Sequence, residues 1–127
     1  MKRLGSTALM LAAAMSLLLP AAPAAAHSEI EMVGTQFVPA VTTADVGHVI
    51  TWMNMELADY PVVESHHGIA PDPDVAAAAG MSAFPTTSPT LDEGETWEWT
   101  ATEAGTYAYR CPQHPAMRGL LIVEAAA

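Results

Sequence analysis

Residues 105–123 read Gly-Thr-Tyr-Ala-Tyr-Arg-Cys-Pro-Gln-His-Pro-Ala-Met-Arg-Gly-Leu-Leu-Ile-Val. Tyr107, Tyr109 and Cys111 fall at period two, so they share one face of a strand, and Leu120 to Val123 form a short apolar run fit for a buried closing strand. The same period recurs upstream. Trp97 and Trp99 alternate with Thr96, Glu98 and Thr100; Val46, His48, Ile50 and Trp52 share a face; Ile30 and Met32 alternate with acids. Glycine-bearing turn signals separate the runs at Asp45-Val46-Gly47, Asp92-Glu93-Gly94, Glu103-Ala104-Gly105 and Arg118-Gly119. Many short strands with few helix candidates predict an all-β sandwich or barrel. One stretch, Ala70 to Leu91, breaks the pattern with four prolines and an Ala76–Ala79 run ended by Gly80. It reads as a long loop holding one helical turn.

The chain starts with a stretch of different character. Residues 1–26 carry Lys2 and Arg3, an apolar run from Leu9 to Leu19 and a small-residue cleavage site at Ala24-Ala25-Ala26, which reads as a secretory signal. The apolar run is too short to span a bilayer, and no cysteine stands at the cleavage site to take a lipid. Cleavage would leave residues 27–127 as one domain, soluble and exported to the periplasm or beyond. It would also remove two of the four cations and take the formal charge from −10 to −12. With only Arg110 and Arg118 left there is no basic cluster to release counterions from nucleic acid. A basic protein partner suits the charge better than nucleic acid does, while the scattered acids themselves read first as a solvated surface.

Cys111 is the single cysteine. It cannot form an internal disulfide, and a bare thiol outside the cytosol is open to oxidation. Burial or capture by a metal would protect it. The spacing Cys111-x-x-His114-x-x-Met117 sets a thiolate, an imidazole and a thioether on one tight loop between two strands. Two imidazoles and a thiolate with a weak axial thioether make the arrangement that holds copper for electron transfer. Zinc has no use for methionine.

Residues 103–124 resemble the C-terminal half of the small blue copper proteins, the cupredoxins, and particularly their amicyanin-like members. Weaker similarity runs back through residues 91–97 and 49–54, so it covers most of residues 28–124. The resemblance implies a Greek-key β-sandwich with one type 1 copper, cycling between Cu(I) and Cu(II) as a soluble electron carrier and not as an enzyme. It implies Cys111, His114 and Met117 as ligands. In amicyanin-like chains a further histidine follows the Trp-x-Asn segment closely, and a gapless alignment puts Tyr60 there. His66 and His67 stand six and seven residues on. His67-Gly68-Ile69 is favoured as the His-x-apolar pattern because it turns Ile69 into the core; His66 and Tyr60 remain the alternatives. Gly68 replaces the family's usual polar side chain beside the cysteine, which removes one restraint.

The remaining expectations concern the surface and the function. His48 is read as an exposed strand residue, and His27, at the mature N-terminus, as a candidate for a second copper. His114 is the expected electron port, with Pro115, Ala116 and Met117 as an apolar apron. Redox protein partners, such as a basic c-type cytochrome or a dehydrogenase, follow from this reading, with the chain a monomer. A periplasmic copper carrier or sensor is the competing function.

Overall fold

In the computed structural model residues 27–55 and 66–126 are described; the signal reading of residues 1–26 and the Tyr60 alternative lie outside them. The alternation of Ile30 and Met32 with Glu29 and Glu31 produces strand β1 (His27–Val33), with the apolar pair buried and the acids exposed. A turn through Gly34, at φ 60°, leads to β2 (Gln36–Val38). Strands β3 (Val41–Asp45) and β4 (Val49–Asn54) follow, separated by Gly47 at φ 96°. After residues 56–65 come β5 (Ala70–Pro71), helix α1 (Pro73–Ala79) and β6 (Ser82–Ala83). The chain ends with β7 (Thr96–Thr100), β8 (Gly105–Arg110) and β9 (Arg118–Glu124).

These strands make two sheets. One has the order β2-β1-β4-β7, the other β3-β9-β8-β5 with β6 also paired to β8. Neighbours distant in sequence, β1 with β4 and β3 with β9, run parallel. That is the crossover wiring of a Greek-key sandwich, as the resemblance implies, and it falls within the sandwich-or-barrel expectation of the period-two pattern. Among the described residues no helix is long and apolar enough to cross a membrane.

The core lies between the sheets. Ile30, Met32, Ile50, Trp52, Ile69, Phe84 and Leu121 are all buried, each contributing on the order of 1.5–3 kcal/mol of transfer free energy. Trp52 is the hub: its ring centroid lies 5.7 Å from Phe84, 5.5 Å from Trp97 and 5.7 Å from Tyr109, within the range of favourable aromatic pairs.

Two sequence expectations change here. Residues 70–91 hold more order than a loop with one turn, because the helix start and stop signals around the alanine run are complete. Asp72 caps α1, its carboxylate accepting the Val75 N–H at 3.2 Å; Pro73 opens the helix; and Gly80 closes it in the left-handed conformation at φ 68°. The second change is at Arg118-Gly119, which is no turn but the start of β9. Gly119 faces Tyr109 across the β8–β9 pair, where a Cβ would lie 2.3 Å from Tyr109 Cζ. The glycine is there for the approach of a ring.

Candidate metal centre

Strand β8 delivers Cys111 and strand β9 begins one residue after Met117, so the loop between them is fixed at both ends. Three backbone bonds tighten it: Cys111 N–H to Met117 C=O at 2.9 Å, His114 N–H to Cys111 C=O at 3.2 Å, and Met117 N–H to His114 C=O at 2.8 Å. Cys111 and Met117 are buried as a result, while His114 is half-buried and is followed by exposed Pro115 and Ala116. The apron expected around His114 therefore loses Met117, which faces inward, and gains the exposed Pro112.

The other half of the cluster comes from an isolated bridge. His67 and Leu91 exchange two backbone bonds, His67 N–H to Leu91 C=O at 3.1 Å and Leu91 N–H to His67 C=O at 2.7 Å. The buried Asn54 side chain donates to the same Leu91 carbonyl at 3.0 Å, and Ser88 Oγ accepts the Ile69 N–H at 2.9 Å. Residues 67–69 are thereby pinned to residues 88–91, with Ile69 turned into the core. His67 and His66 consequently point apart. His67 is buried, and its Nδ1 lies 3.7 Å from Cys111 Sγ; His66 is exposed, with its ring 2.6 Å from the Asp92 carboxylate.

His114 Nδ1 also stands 3.7 Å from Cys111 Sγ, and the two imidazole centroids are 5.0 Å apart. One ligand atom from each of His67, Cys111 and His114 falls within 4.8 Å of the others. Burial pushes the Cys111 thiol up, but hydrogen bonds from His67, His114 and the backbone N–H groups of Gly68 and Gln113 outweigh it and bring the thiol down to about 6. At neutral pH that sulfur is a thiolate, the form that binds soft metals. A buried anion among imidazoles with so many donors turned to it has the chemistry of a site built for a cation.

The space beside the cysteine that Gly68 leaves is taken from the other side. A Cβ on Gly68 would come 3.5 Å from Gln113 Oε1. Gln113 Oε1 lies 3.3 Å from Cys111 Sγ, where it accepts from the protonated thiol, and Gln113 Nε2 donates to Thr90 Oγ1 at 3.3 Å. The other histidines stay outside the cluster. His27 bonds the Thr51 hydroxyl from β1. His48 is half-buried rather than exposed, on the face it shares with Ile50, with its ring 3.8 Å from the Asp45 carboxylate.

Residues 24–124 match the family described as copper binding proteins, plastocyanin/azurin family. The chain belongs to that family. Amicyanin of Paracoccus denitrificans is 37% identical over 79 residues, which is 62% of this chain and 51% of that protein; the chain spans about half the length of the curated relative it matches. Among solved structures it is similar to a reduced-state amicyanin mutant, at 28% identity and TM-score 0.58 over 83% of this chain and 87% of that one. It is likewise similar to the Cu(I) form of another amicyanin mutant, at 30% identity and TM-score 0.59 over 80% of this chain and 85% of that one. The chain is thus a cupredoxin of amicyanin-like kind, and the donor set of two imidazoles and a thiolate, with Met117 on the same loop, fits one type 1 copper.

Asn54, Ser88 and Leu91 carry no chemical signal in the sequence that would mark them as supports of the site. Only the run ending at Asn54 stands out, and it does so by resemblance. Asp72 is hidden for another reason: the acids read as a solvated surface, yet its side chain is 1% exposed. The pair Asp72-Pro73 ahead of an alanine run is the cap signature that singles it out.

Proposed function

We propose that this cupredoxin is an exported one-electron carrier in which His67, Cys111 and His114, together with Met117, would hold a copper ion. The observation that carries the reading is the convergence of His67, Cys111 and His114 within 4.8 Å on two backbone-bonded segments. Bound there, copper supplies a Cu(I)/Cu(II) couple. The protein's part is positional. Burial of His67, Cys111 and Met117 excludes water from one side, and the bonds that close residues 111–117 and join residues 67 and 91 fix the donors beforehand, so little has to move when the charge changes.

His114 is the port for the electron because, of the three clustered donors, it is the one with a partly exposed ring. Pro112, Pro115 and Ala116 around it form an apolar surface that sheds water in a transient contact. The acidic balance of the chain, formal charge −10 as encoded, favours a basic redox partner such as a c-type cytochrome or a basic dehydrogenase. Export rests on the reading of residues 1–26.

The test has two steps. Copper-loaded protein should show an intense visible thiolate-to-copper band that Cys111→Ser abolishes. Its electron exchange with a basic redox protein should then slow as salt rises. A loaded protein that surrenders Cu(I) quickly to a competing chelator, instead of holding it through repeated redox cycles, would favour the copper-carrier function.

A further inference from the structure

The residues on either side of the ligand loop are both arginines. Arg110 ends β8, Arg118 begins β9, and the two face each other in the β8–β9 register. Like charges directly opposite on a sheet repel, so this pairing needs a counter-charge, and the start of helix α1 supplies two. Arg118 Nε lies 3.3 Å from Asp72 Oδ2, and an Arg110 terminal nitrogen lies 3.8 Å from Asp74 Oδ2.

The two contacts differ in kind. Asp74 is 80% exposed, and an ion pair in water contributes little. Asp72 is 1% exposed, so its charge depends on the partners it has inside the protein. Its Oδ1 takes the Val75 N–H, its backbone N–H bonds Ala108 C=O on β8 at 3.0 Å, and its backbone C=O accepts the Ala76 N–H at 3.1 Å. Oδ2 has no directed hydrogen bond. Arg118, at 3.3 Å but off the line of its N–H, answers it as a charge. Asp72 thus joins the strand before the loop, through Ala108, to the first residue after it, through Arg118.

We propose that Asp72 is a positioning residue for the 111–117 loop: by anchoring Arg118 it sets where Met117, the adjacent residue, sits against Cys111 and His114. The claim extends the copper reading and rests on it for the role of Met117. The mechanical part stands on the chain alone. Arg118 is therefore engaged inward, by the fold, even though half of its side chain is exposed.

The experiment uses the mature chain in metal-free and copper-loaded form. Asp72→Asn keeps a good helix cap and removes the charge. In the metal-free protein, amide hydrogen exchange at Cys111, His114 and Met117 should quicken at least tenfold, while the central-strand amides of Ile50 and Trp52 change less than twofold. In the loaded protein the reduction potential and the visible band should both move. Asp74→Asn should do neither, and Arg118→Lys, which retains the charge, should restore most of the protection that Arg118→Ala loses. Exchange unchanged in the loop, or raised equally throughout the sheets, overturns the proposal; so does equal loosening by Asp74→Asn. A loosened loop with potential and band unmoved overturns the positioning role. If Asp72→Asn does not fold, the Arg118 pair of variants decides by the same criteria. Should the wild-type protein show no blue band, the copper reading fails, and the metal-free exchange still tests the brace.

Discussion

Exchanging the proline order after the cysteine, through the double substitution Pro112→Thr with Gln113→Pro, should lower the reduction potential of the copper-loaded protein. The thiolate of Cys111 receives backbone N–H bonds from Gly68 and Gln113, and a proline in place of Gln113 deletes the second donor. That donor withdraws electron density from sulfur. It stabilises both oxidation states, and stabilises Cu(I) more because the site then carries one more electron. A hydrogen bond to a charged group contributes roughly 1.5–3 kcal/mol. If a third to a half of that separates the two states, the difference is about 0.5–1.5 kcal/mol, and at ~2.3 kcal/mol per 100 mV for one charge the potential falls by roughly 20–65 mV. Voltammetry on the loaded proteins measures it. Gln113 also touches Cys111 through its side chain at 3.3 Å, so Gln113→Ala, which keeps the N–H, is the necessary control. A double variant with an unchanged or raised potential refutes the reasoning, as does a Gln113→Ala variant that falls just as far.

Three further outcomes follow from the geometry. His67→Ala should abolish the blue band while His66→Ala, which removes only a surface pair with Asp92, leaves it; absorption spectra of the two loaded variants decide, and the opposite result transfers the role to His66. Asn54→Ala removes the buried bond to the Leu91 carbonyl and should destabilise the metal-free protein by about 1–3 kcal/mol; denaturant unfolding measures it, and a loss under about 0.5 kcal/mol would mean that the carbonyl finds another donor. The Cys111 thiol, held down to about 6 in the fold against roughly 8.5 unfolded, binds fewer protons folded than unfolded between those values. Stability of the metal-free protein should therefore rise with pH from about 6 to about 8.5 and level off above. Thermal melts across that window check it, with Cys111→Ser as the variant in which the rise disappears.

The sandwich is legible in the sequence because its strands alternate. Glu29-Ile30-Glu31-Met32 and Thr96-Trp97-Glu98-Trp99 each announce one wet face and one dry face, and no helix period competes with them. Three of the four candidate ligands are legible for a different reason: Cys111, His114 and Met117 sit within seven residues, so their convergence is local. His67 is not local. What separates it from His66 is a two-bond bridge to Leu91, a residue far along the chain with no donor chemistry of its own, and only the tertiary fold could bring the two together. The points where sequence and structure part share a cause. Arg118-Gly119 reads as a turn because glycine usually marks one, whereas here the demand for a missing Cβ comes from a ring on the neighbouring strand. His48 and Asp72 read as surface residues by their polarity, although each is tied to structure that polarity does not report.

The meeting of Tyr109 and Gly119 also shapes how the sequence can change. As register partners on β8 and β9, with the ring resting where a Cβ would be, they behave as one unit distributed over two codons. Enlarging residue 119 first drives a methyl into the ring. Shrinking residue 109 first leaves a hole against Phe37, whose ring stands 4.7 Å from that of Tyr109, two residues from the thiol of Cys111. Either single step passes through a strained or hollow intermediate, and the two effects are strongly non-additive. Drift at these two positions is thereby blocked in both directions, and the strand that carries the cysteine keeps its partner.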